Sequence, residues 1–240
     1  MSEIERCKIR AAFVDIDNTL LSFDKFVEKT TADGFELFGL PHYEPYMADI
    51  IHKVNGTFWA KIESGELTVE QLRRDRWNAI FAALGFKADG VAFEKYFSGS
   101  LNESAIPEDG AFDLLNALKD HSCIICAASN APTGQQPHRL DLAGMRGYFD
   151  FIFVSDELGA AKPSKEFFDL SFAQLNSGRE NPISPSECIM IGDSLSSDIS
   201  GGRSYGMKTC YFTRGRSVSD SSVADYIAPT LADAVRLLCE

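Results

Sequence analysis

Two aspartates separated by one residue follow the first apolar run of the chain. Val14 ends the run, and Asp15 and Asp17 come directly after it with Ile16 between them. Because alternate side chains of an extended segment point to the same side, the two carboxylates are expected to converge while Ile16 turns into the core. The pair offers a nucleophile beside an acid/base group, and hard oxygen ligands for Mg2+. A solvated turn or a helix cap is the alternative interpretation of this pair.

Polar or charged side chains also follow three later apolar runs. Ser129 and Asn130 supply a hydroxyl and an amide that can bind phosphoryl oxygens, and Lys162 precedes a proline that fixes the local backbone. Asp193 and Asp198 can complete a cation site. Taken singly, such segments are typical of turns, solvated lysines and helix caps. Because all four segments fall at predicted strand ends and carry complementary groups, we interpret them together as one phosphate and cation site.

The composition disfavours some classes of partner. Of the 240 residues, 45% are hydrophobic and 24% are charged, as in ordinary soluble globular proteins. The formal net charge of −12 disfavours nucleic-acid polymers and anionic membranes, both of which attract basic surfaces. A small anionic substrate stays compatible, because a metal ion or a lysine can override this field locally. The composition therefore disfavours a nucleic-acid polymer and a membrane as partners, and it leaves a small anionic substrate open.

The sequence also bears on the cellular compartment. Residues 1–6 lack the apolar segment of a signal peptide, and no stretch approaches the roughly 18 apolar residues of a membrane span. Six cysteines in such a chain are typical of reduced cytosolic thiols. Cys123 and Cys126 would point to opposite faces of a strand, so we expect buried core thiols rather than a shared metal. A cytoplasmic location is predicted.

Two regions of the chain differ in their pattern. Past Pro107, short apolar runs alternate with helical spacing, which predicts a parallel sheet with helices on both faces. Residues 21–104 show helical spacing and many aromatic residues but no convincing strand. Within them, Thr68 begins a capping-box pattern, Gly85 marks a helix end and Asp89 a helix start. This block is predicted to be an inserted helical module.

The ordered segments together resemble the motifs of a known family. They are Asp15-x-Asp17-x-Thr19, Ser129, Lys162-Pro163 and Gly192-Asp193-x4-Asp198. This set is similar to the four motifs of the haloacid dehalogenase superfamily, over residues 9 to about 212. Closer similarity is to the pyrimidine 5′-nucleotidase branch. The segments that carry this closer similarity are residues 17–24, residues 65–68 followed by Arg76-Trp77, and residues 192–202.

The resemblance implies an α/β fold with two domains. A three-layer Rossmann-like core with a parallel sheet would comprise residues 1–20 and 105–240. A helical cap between the first and second motifs, residues 21–104, would select the substrate. The cap carries aromatic residues such as Trp77 that could stack on a base or simply pack helix against helix. Arg76, with two neighbouring arginines, could meet a substrate anion or be an exposed helix charge.

The resemblance also implies roles for the first two carboxylates. Asp15 would attack phosphorus and form an aspartyl-phosphate, and Asp17 would protonate the leaving oxygen and then activate water. Mg2+ would be held by a carboxylate oxygen of Asp15, the backbone carbonyl of Asp17, and Asp193. These three residues therefore form the predicted metal site.

The remaining motif residues are assigned to the phosphate and to its support. Lys162 and the Ser129 hydroxyl would neutralise charge on the equatorial phosphoryl oxygens. Asn18 and Asn130 complete the predicted phosphate-binding set. Asp198 would lie behind the metal ligands and orient Lys162 or a metal-bound water.

These roles predict a Mg2+-dependent phosphomonoester hydrolase, and the closer resemblance to the pyrimidine 5′-nucleotidase branch implies nucleoside 5′-monophosphates of the pyrimidine type as substrates. A phosphatase for sugar phosphates or other small metabolites is the first alternative. A phosphomutase shares every core motif, and a catalytically silent binding protein would not need the intact set. Dehalogenation is disfavoured, because the resemblance implies a non-acidic residue at position 17 in dehalogenases. The oligomeric state is left open.

Overall fold

The computed structural model describes residues 9–239. Residues 1–8, on which the expectation about a signal peptide rests, and Glu240 lie outside the described part. The chain is divided into two compact units. Of the described residues, the core unit comprises 9–22 and 107–239, and the helical unit comprises Phe23–Ile106.

The core unit contains a parallel sheet, as the alternating pattern predicts. Over residues 9–239 its strands are β1 Ala11–Val14, β2 Ile124–Ser129, β3 Phe151–Val154, β4 Cys188–Gly192, β5 Lys208–Phe212 and β6 Tyr226–Ala228. Their order is β3-β2-β1-β4-β5-β6, and each neighbouring pair is parallel. Val14 at the end of β1 is in register with Ala127 on β2 and Ile191 on β4. The sequence pattern did not indicate the short strand β6.

Ten α-helices are described in the same range. They are α1 Phe23–Leu37, α2 Tyr46–Glu63, α3 Val69–Leu84, α4 Gly90–Asn102, α5 Ala111–Asp120, α6 Gln135–Leu142, α7 Ser155–Leu158, α8 Lys165–Leu175, α9 Ser200–Tyr205 and α10 Leu231–Cys239. Short 3-10 turns occupy Arg146–Tyr148 and Pro185–Glu187, and a π-helical turn occupies Leu195–Ile199. None of these helices combines the length and the apolar character needed to cross a bilayer.

The side chains of alternate β1 residues pack into two apolar layers, one on each face of the sheet. Phe13 packs in a cluster with aromatic residues of α8, and its ring lies 5.3 Å from that of Phe172. Val14 belongs to a second cluster that includes Leu114 of α5 and Leu231 of α10. The period of two explains why a strand covered on both faces reads as a continuous apolar run. The three-layer α/β architecture predicted for the core is confirmed.

The two cysteines spaced three apart lie on opposite faces of the sheet, as predicted. Cys126 is buried in the cluster of Phe13, whereas Cys123 packs against the cluster of Val14. Burial raises the pKa of the Cys126 thiol well above its ordinary value, and it raises the pKa of Cys210 to about 12. Thiols of this kind stay protonated and act as small apolar side chains.

The helical unit has the start and stop signals that the sequence predicts. The Thr68 hydroxyl accepts a hydrogen bond from Gln71 N, and the Gln71 side chain accepts one from Thr68 N, which makes a capping box at the start of α3. Gly85 ends that helix with φ +74°, a left-handed conformation that costs glycine little. The Asp89 side chain caps α4 by accepting hydrogen bonds from the backbone amides of Val91 and Ala92.

Aromatic rings and one buried ion pair form the interior of the helical unit. Trp77 is buried, and its ring centroid lies 4.3 Å from that of Phe93, so packing of helix against helix is what this residue provides within the unit. Arg76 is not an exposed helix charge. It donates to both carboxylate oxygens of Glu94 at 2.7–3.0 Å, and to Asn55 at 3.0 Å. Burial lowers the pKa of the Arg76 guanidinium, and Glu94 opposes that effect.

The buried pair gives a stability prediction for the helical unit. Replacing Arg76 by leucine would leave Glu94 buried without its cation, which typically costs about 3–5 kcal/mol. We expect urea unfolding to show a loss of this order. Arg74→Leu is the matched control, because Arg74 pairs with Asp75 at the surface, where the loss should not be measurable. Equal losses in the two variants would contradict a special role for the buried pair.

Candidate active site

The candidate site lies where the chain order of the sheet reverses. β2, the next strand along the chain, pairs with one edge of β1, and β4 pairs with the other edge of β1. Open α/β sheets bind ligands at such a switch point, beyond the carboxyl ends of the strands. Asp15 follows β1, Ser129 ends β2 and Asp193 follows β4. Three of the four predicted motif segments therefore meet at this edge of the sheet.

The fourth segment brings a buried lysine into the same place. Lys162, 1% exposed, lies in the loop before α8, and its Nζ donates to Asp15 Oδ1 at 2.7 Å and to Asp198 Oδ1 at 2.6 Å. It also donates to the carbonyl of Ala128 at 2.6 Å. The ammonium thus uses its three donors on two carboxylates and one strand carbonyl, which fixes its position. Thr19 donates to the other Asp15 oxygen at 3.2 Å.

The glycine that ends β4 makes room for Asp198. A Cβ on Gly192 would lie 2.1 Å from Asp198 Oδ2, closer than any side chain allows. The same Asp198 oxygen accepts from Ser194 N at 3.0 Å, and the π-helical turn carries Asp198 back toward the strand end. Asp198 is therefore held by backbone on one oxygen and by Lys162 on the other. These contacts fix Asp198 beside the ammonium of Lys162; its role behind the metal ligands stays a prediction.

Burial and the attraction between Lys162 and its carboxylates dominate the electrostatics of the site. Burial raises the pKa of Asp15 well above its usual value; Lys162 lowers it, and Asp198 and Asp193 raise it further. Burial alone would lower the pKa of the Lys162 ammonium, but Asp15 and Asp198 outweigh that effect and raise it. Lys162 is therefore protonated, and the carboxylates beside it outnumber it.

The clustered carboxylates of the site fit a divalent cation. Oxygens of Asp15, Asp193 and Asp198 all lie within 4.8 Å of one another. Carboxylates are the hard ligands that Mg2+ binds, and a cation would offset the repulsion among them. Arg216 donates to Asp193 Oδ2 at 3.3 Å and Arg214 lies 3.7 Å from the same oxygen, so Asp193 is also tied to the loop that follows β5.

Asp17 lies among a different set of partners. Arg139 Nη1 donates to Asp17 Oδ1 at 2.6 Å, and Gln136 Nε2 donates to Asp17 Oδ2 at 2.7 Å. Neither partner was predicted from the sequence. A signal did exist, because Gln136, Arg139 and Leu140 are spaced i, i+3 and i+4 on α6 and thus share one face. All three side chains are completely buried.

The three remaining residues of the predicted phosphate-binding set differ in their contacts. Asn130 accepts from Lys162 N and donates to Lys162 O, both at 2.8 Å, so its amide holds the backbone of the lysine loop. Ser129 is buried and its hydroxyl accepts from Gln136 at 2.8 Å. Asn18 has φ +61°, a conformation that asparagine tolerates better than most residues, and it turns the chain after Asp17.

Known proteins share this sequence pattern over most of the chain. The family model of haloacid dehalogenase-like hydrolases matches residues 9–206. The pyrimidine 5′-nucleotidase YjjG of Escherichia coli (strain K12) is 30% identical over 231 residues, which are 95% of this chain and 97% of that protein. The pyrimidine 5′-nucleotidase PynA of Streptococcus pneumoniae (strain ATCC BAA-255 / R6) is 28% identical over 82% of this chain and 81% of its own.

A solved structure agrees in fold over most of the chain. The magnesium-bound crystal structure of YfnB from Bacillus subtilis superposes with a TM-score of 0.84 at 28% sequence identity, covering 96% of this chain and 99% of that one. The family match, the full-length relatives and the parallel sheet with its edge of motif residues agree with one another. The chain therefore belongs to the family of haloacid dehalogenase-like hydrolases.

Proposed function

We propose that this hydrolase is a Mg2+-dependent phosphatase that acts through an aspartyl-phosphate on pyrimidine nucleoside 5′-monophosphates. The observation that carries the proposal is the contact of Lys162 Nζ with Asp15 and Asp198 at the switch point of the sheet. It places a carboxylate beside a fixed ammonium, as transfer of a phosphoryl group requires. Asp17, two residues further on, supplies the second carboxyl group that a phosphatase needs and a dehalogenase does not.

The reaction would proceed in two displacements. In the first, a carboxylate oxygen of Asp15 attacks phosphorus, the bond from phosphorus to the leaving oxygen breaks, and Asp17 gives that oxygen a proton. In the second, water attacks phosphorus, Asp17 takes a proton from it, and the Asp15 carboxylate leaves. Lys162 and Ser129 would bind the equatorial oxygens, with Asn130 keeping the lysine loop in place.

The metal ion would complete the charge balance of the site. Asp15, Asp193 and the backbone carbonyl of Asp17 would hold it, with Asp198 orienting Lys162 beside them. When bound, Mg2+ supplies positive charge that lets the anionic nucleophile approach an anionic phosphate. The three-carboxylate cluster supports this assignment, as does the magnesium in the crystal structure of YfnB.

The preference for pyrimidine nucleotides rests on the two relatives named as pyrimidine 5′-nucleotidases, which align with this chain over 82–95% of its length. The fitting partner is thus a small phosphorylated metabolite. The net charge of −12 agrees with this class, since it disfavours long nucleic acids.

A substrate panel tests this proposal. Purified protein with Mg2+ should release phosphate from p-nitrophenyl phosphate, and chelation by EDTA should remove this activity until Mg2+ is restored. Among natural compounds, dUMP and dTMP should have the highest kcat/KM in a panel with purine nucleotides, hexose phosphates and phosphorylated acids. If hexose phosphates rank first, the proposed preference for nucleotides is wrong, but the proposed phosphatase activity still holds. Isomerisation primed by a bisphosphate would identify a phosphomutase instead.

A further inference from the structure

Two completely buried side chains of α6 converge on the carboxylate proposed as the acid/base group. Arg139 and Gln136 are both 0% exposed, whereas the Asp17 side chain keeps 32% of its surface accessible. Burying a guanidinium is costly unless an anion compensates it. Here the compensating anion is Asp17, at 2.6 Å from Arg139 Nη1. The half-buried carboxylate of Asp17 is therefore held by a guanidinium, that of Arg139, which has no access to water.

Gln136 connects this anchor to the phosphate-binding side of the site. Its Oε1 accepts from Arg139 Nη1 at 3.1 Å, and its Nε2 donates to Asp17 Oδ2 at 2.7 Å and to Ser129 Oγ at 2.8 Å. Because a guanidinium only donates, the Gln136 oxygen must face Arg139 and its NH2 group must face the other two. The amide orientation is thus determined by the network. One side chain fixes the relative positions of a carboxylate in the loop after β1 and a hydroxyl at the end of β2.

From this geometry we infer that Arg139 and Gln136 are positioning residues for the reaction. Arg139 holds one oxygen of Asp17 and Gln136 holds the other, which leaves the carboxyl group a single orientation toward the reacting oxygen. Gln136 additionally orients the Ser129 hydroxyl toward the phosphoryl group. The inference rests on the proposed function, because it needs Asp17 to transfer the proton. Because both side chains are completely buried, neither is placed to touch the substrate itself.

The two residues should have different kinetic signatures. Arg139→Met removes the contacts to Asp17 Oδ1 and to Gln136 Oε1 but leaves the Gln136 amide beside Ser129, so it should lower kcat with little change in KM. We expect a loss of about 100-fold, the size that a misplacement near 1 Å produces. Gln136→Met also releases Ser129, so it should lower kcat and raise KM together. Arg139→Lys keeps a positive donor and should recover part of the lost kcat.

A double-mutant cycle separates positioning from a purely structural role. In an Asp17→Asn protein, proton transfer is already lost, so adding Arg139→Met should lower kcat for p-nitrophenyl phosphate by less than about threefold. A structural role would instead cost the same factor in both backgrounds. Arg10→Met is the matched control, because Arg10 pairs with Glu187 at 3.2 Å just before β1, at the opposite end of the strand. It should leave kcat unchanged in either background.

The outcomes are distinct. Equal losses from Arg139→Met with and without Asp17 would overturn the inference and leave the phosphatase intact. A wild-type protein that hydrolyses no phosphomonoester would overturn the proposed function, and the inference with it. If Arg139→Met does not fold, Arg139→Lys takes its place in the cycle, and its partial loss of kcat should likewise nearly vanish in the Asp17→Asn background.

Discussion

Asp15→Asn is expected to abolish turnover while the protein remains folded. Removal of the nucleophile from an enzyme that works by covalent catalysis typically costs about 10⁶ in kcat. The amide of asparagine cannot form the acyl-phosphate bond. The proposed mechanism gives no other group in the site the role of nucleophile. The fold should survive, because the neutral side chain carries no charge to desolvate and Lys162 keeps Asp198 at 2.6 Å. Activity and stability should therefore separate in this variant.

The measurement is single-turnover and steady-state hydrolysis of p-nitrophenyl phosphate, together with urea unfolding of the metal-free protein. Acid-quenched wild-type enzyme should carry a phosphoryl group on Asp15, and the variant should carry none. Asp120→Asn, at the exposed end of α5, is the control that should keep full activity. Turnover by Asp15→Asn within about tenfold of wild type would remove the nucleophile assignment, since that difference corresponds to only about 1.4 kcal/mol.

The motif residues and the fold were both accessible from the sequence for one physical reason. In a parallel sheet each strand is buried on both faces, so it appears in the chain as a short apolar run. The residues that follow such a run necessarily stand at the edge where ligands bind. Asp15, Ser129 and Asp193 are adjacent in sequence to the strands that place them. Their convergence therefore needed no knowledge of side-chain contacts.

The residues that the sequence did not disclose depend on contacts between distant segments. Arg139 and Arg76 look like ordinary solvated charges on polar helices, and only tertiary structure buries them. Each meets a carboxylate far away in the chain, Asp17 at 122 residues and Glu94 at 18. The phosphate-binding prediction for Asn130 likewise omitted its contact with the Lys162 backbone, 32 residues away. The sequence shows what a polar side chain can do chemically. Which group it contacts depends on which distant segments the fold brings together.

Lys162→Met should be damaging to both activity and stability. The lysine is the cation between two buried carboxylates, Asp15 and Asp198, and methionine fills much of its volume without the charge. Removing one partner from a buried ionic cluster typically costs about 3–5 kcal/mol. The loss of charge stabilisation on the transferring phosphoryl group should also lower kcat by roughly 10²–10³. We expect urea unfolding of the metal-free variant to show the first effect, and phosphatase assays the second.

The surroundings of the lysine also predict how Mg2+ affects this variant. With no ammonium beside them, Asp15 and Asp198 depend more strongly on the divalent cation for compensation. Mg2+ should therefore stabilise Lys162→Met more than it stabilises the wild type, since any ligand that binds only the folded state shifts unfolding. Lys165→Met is the control, because Lys165 pairs with Asp169 on the exposed surface of α8. A Lys162→Met protein as stable as this control without metal would mean that the buried ammonium is not what balances the carboxylates.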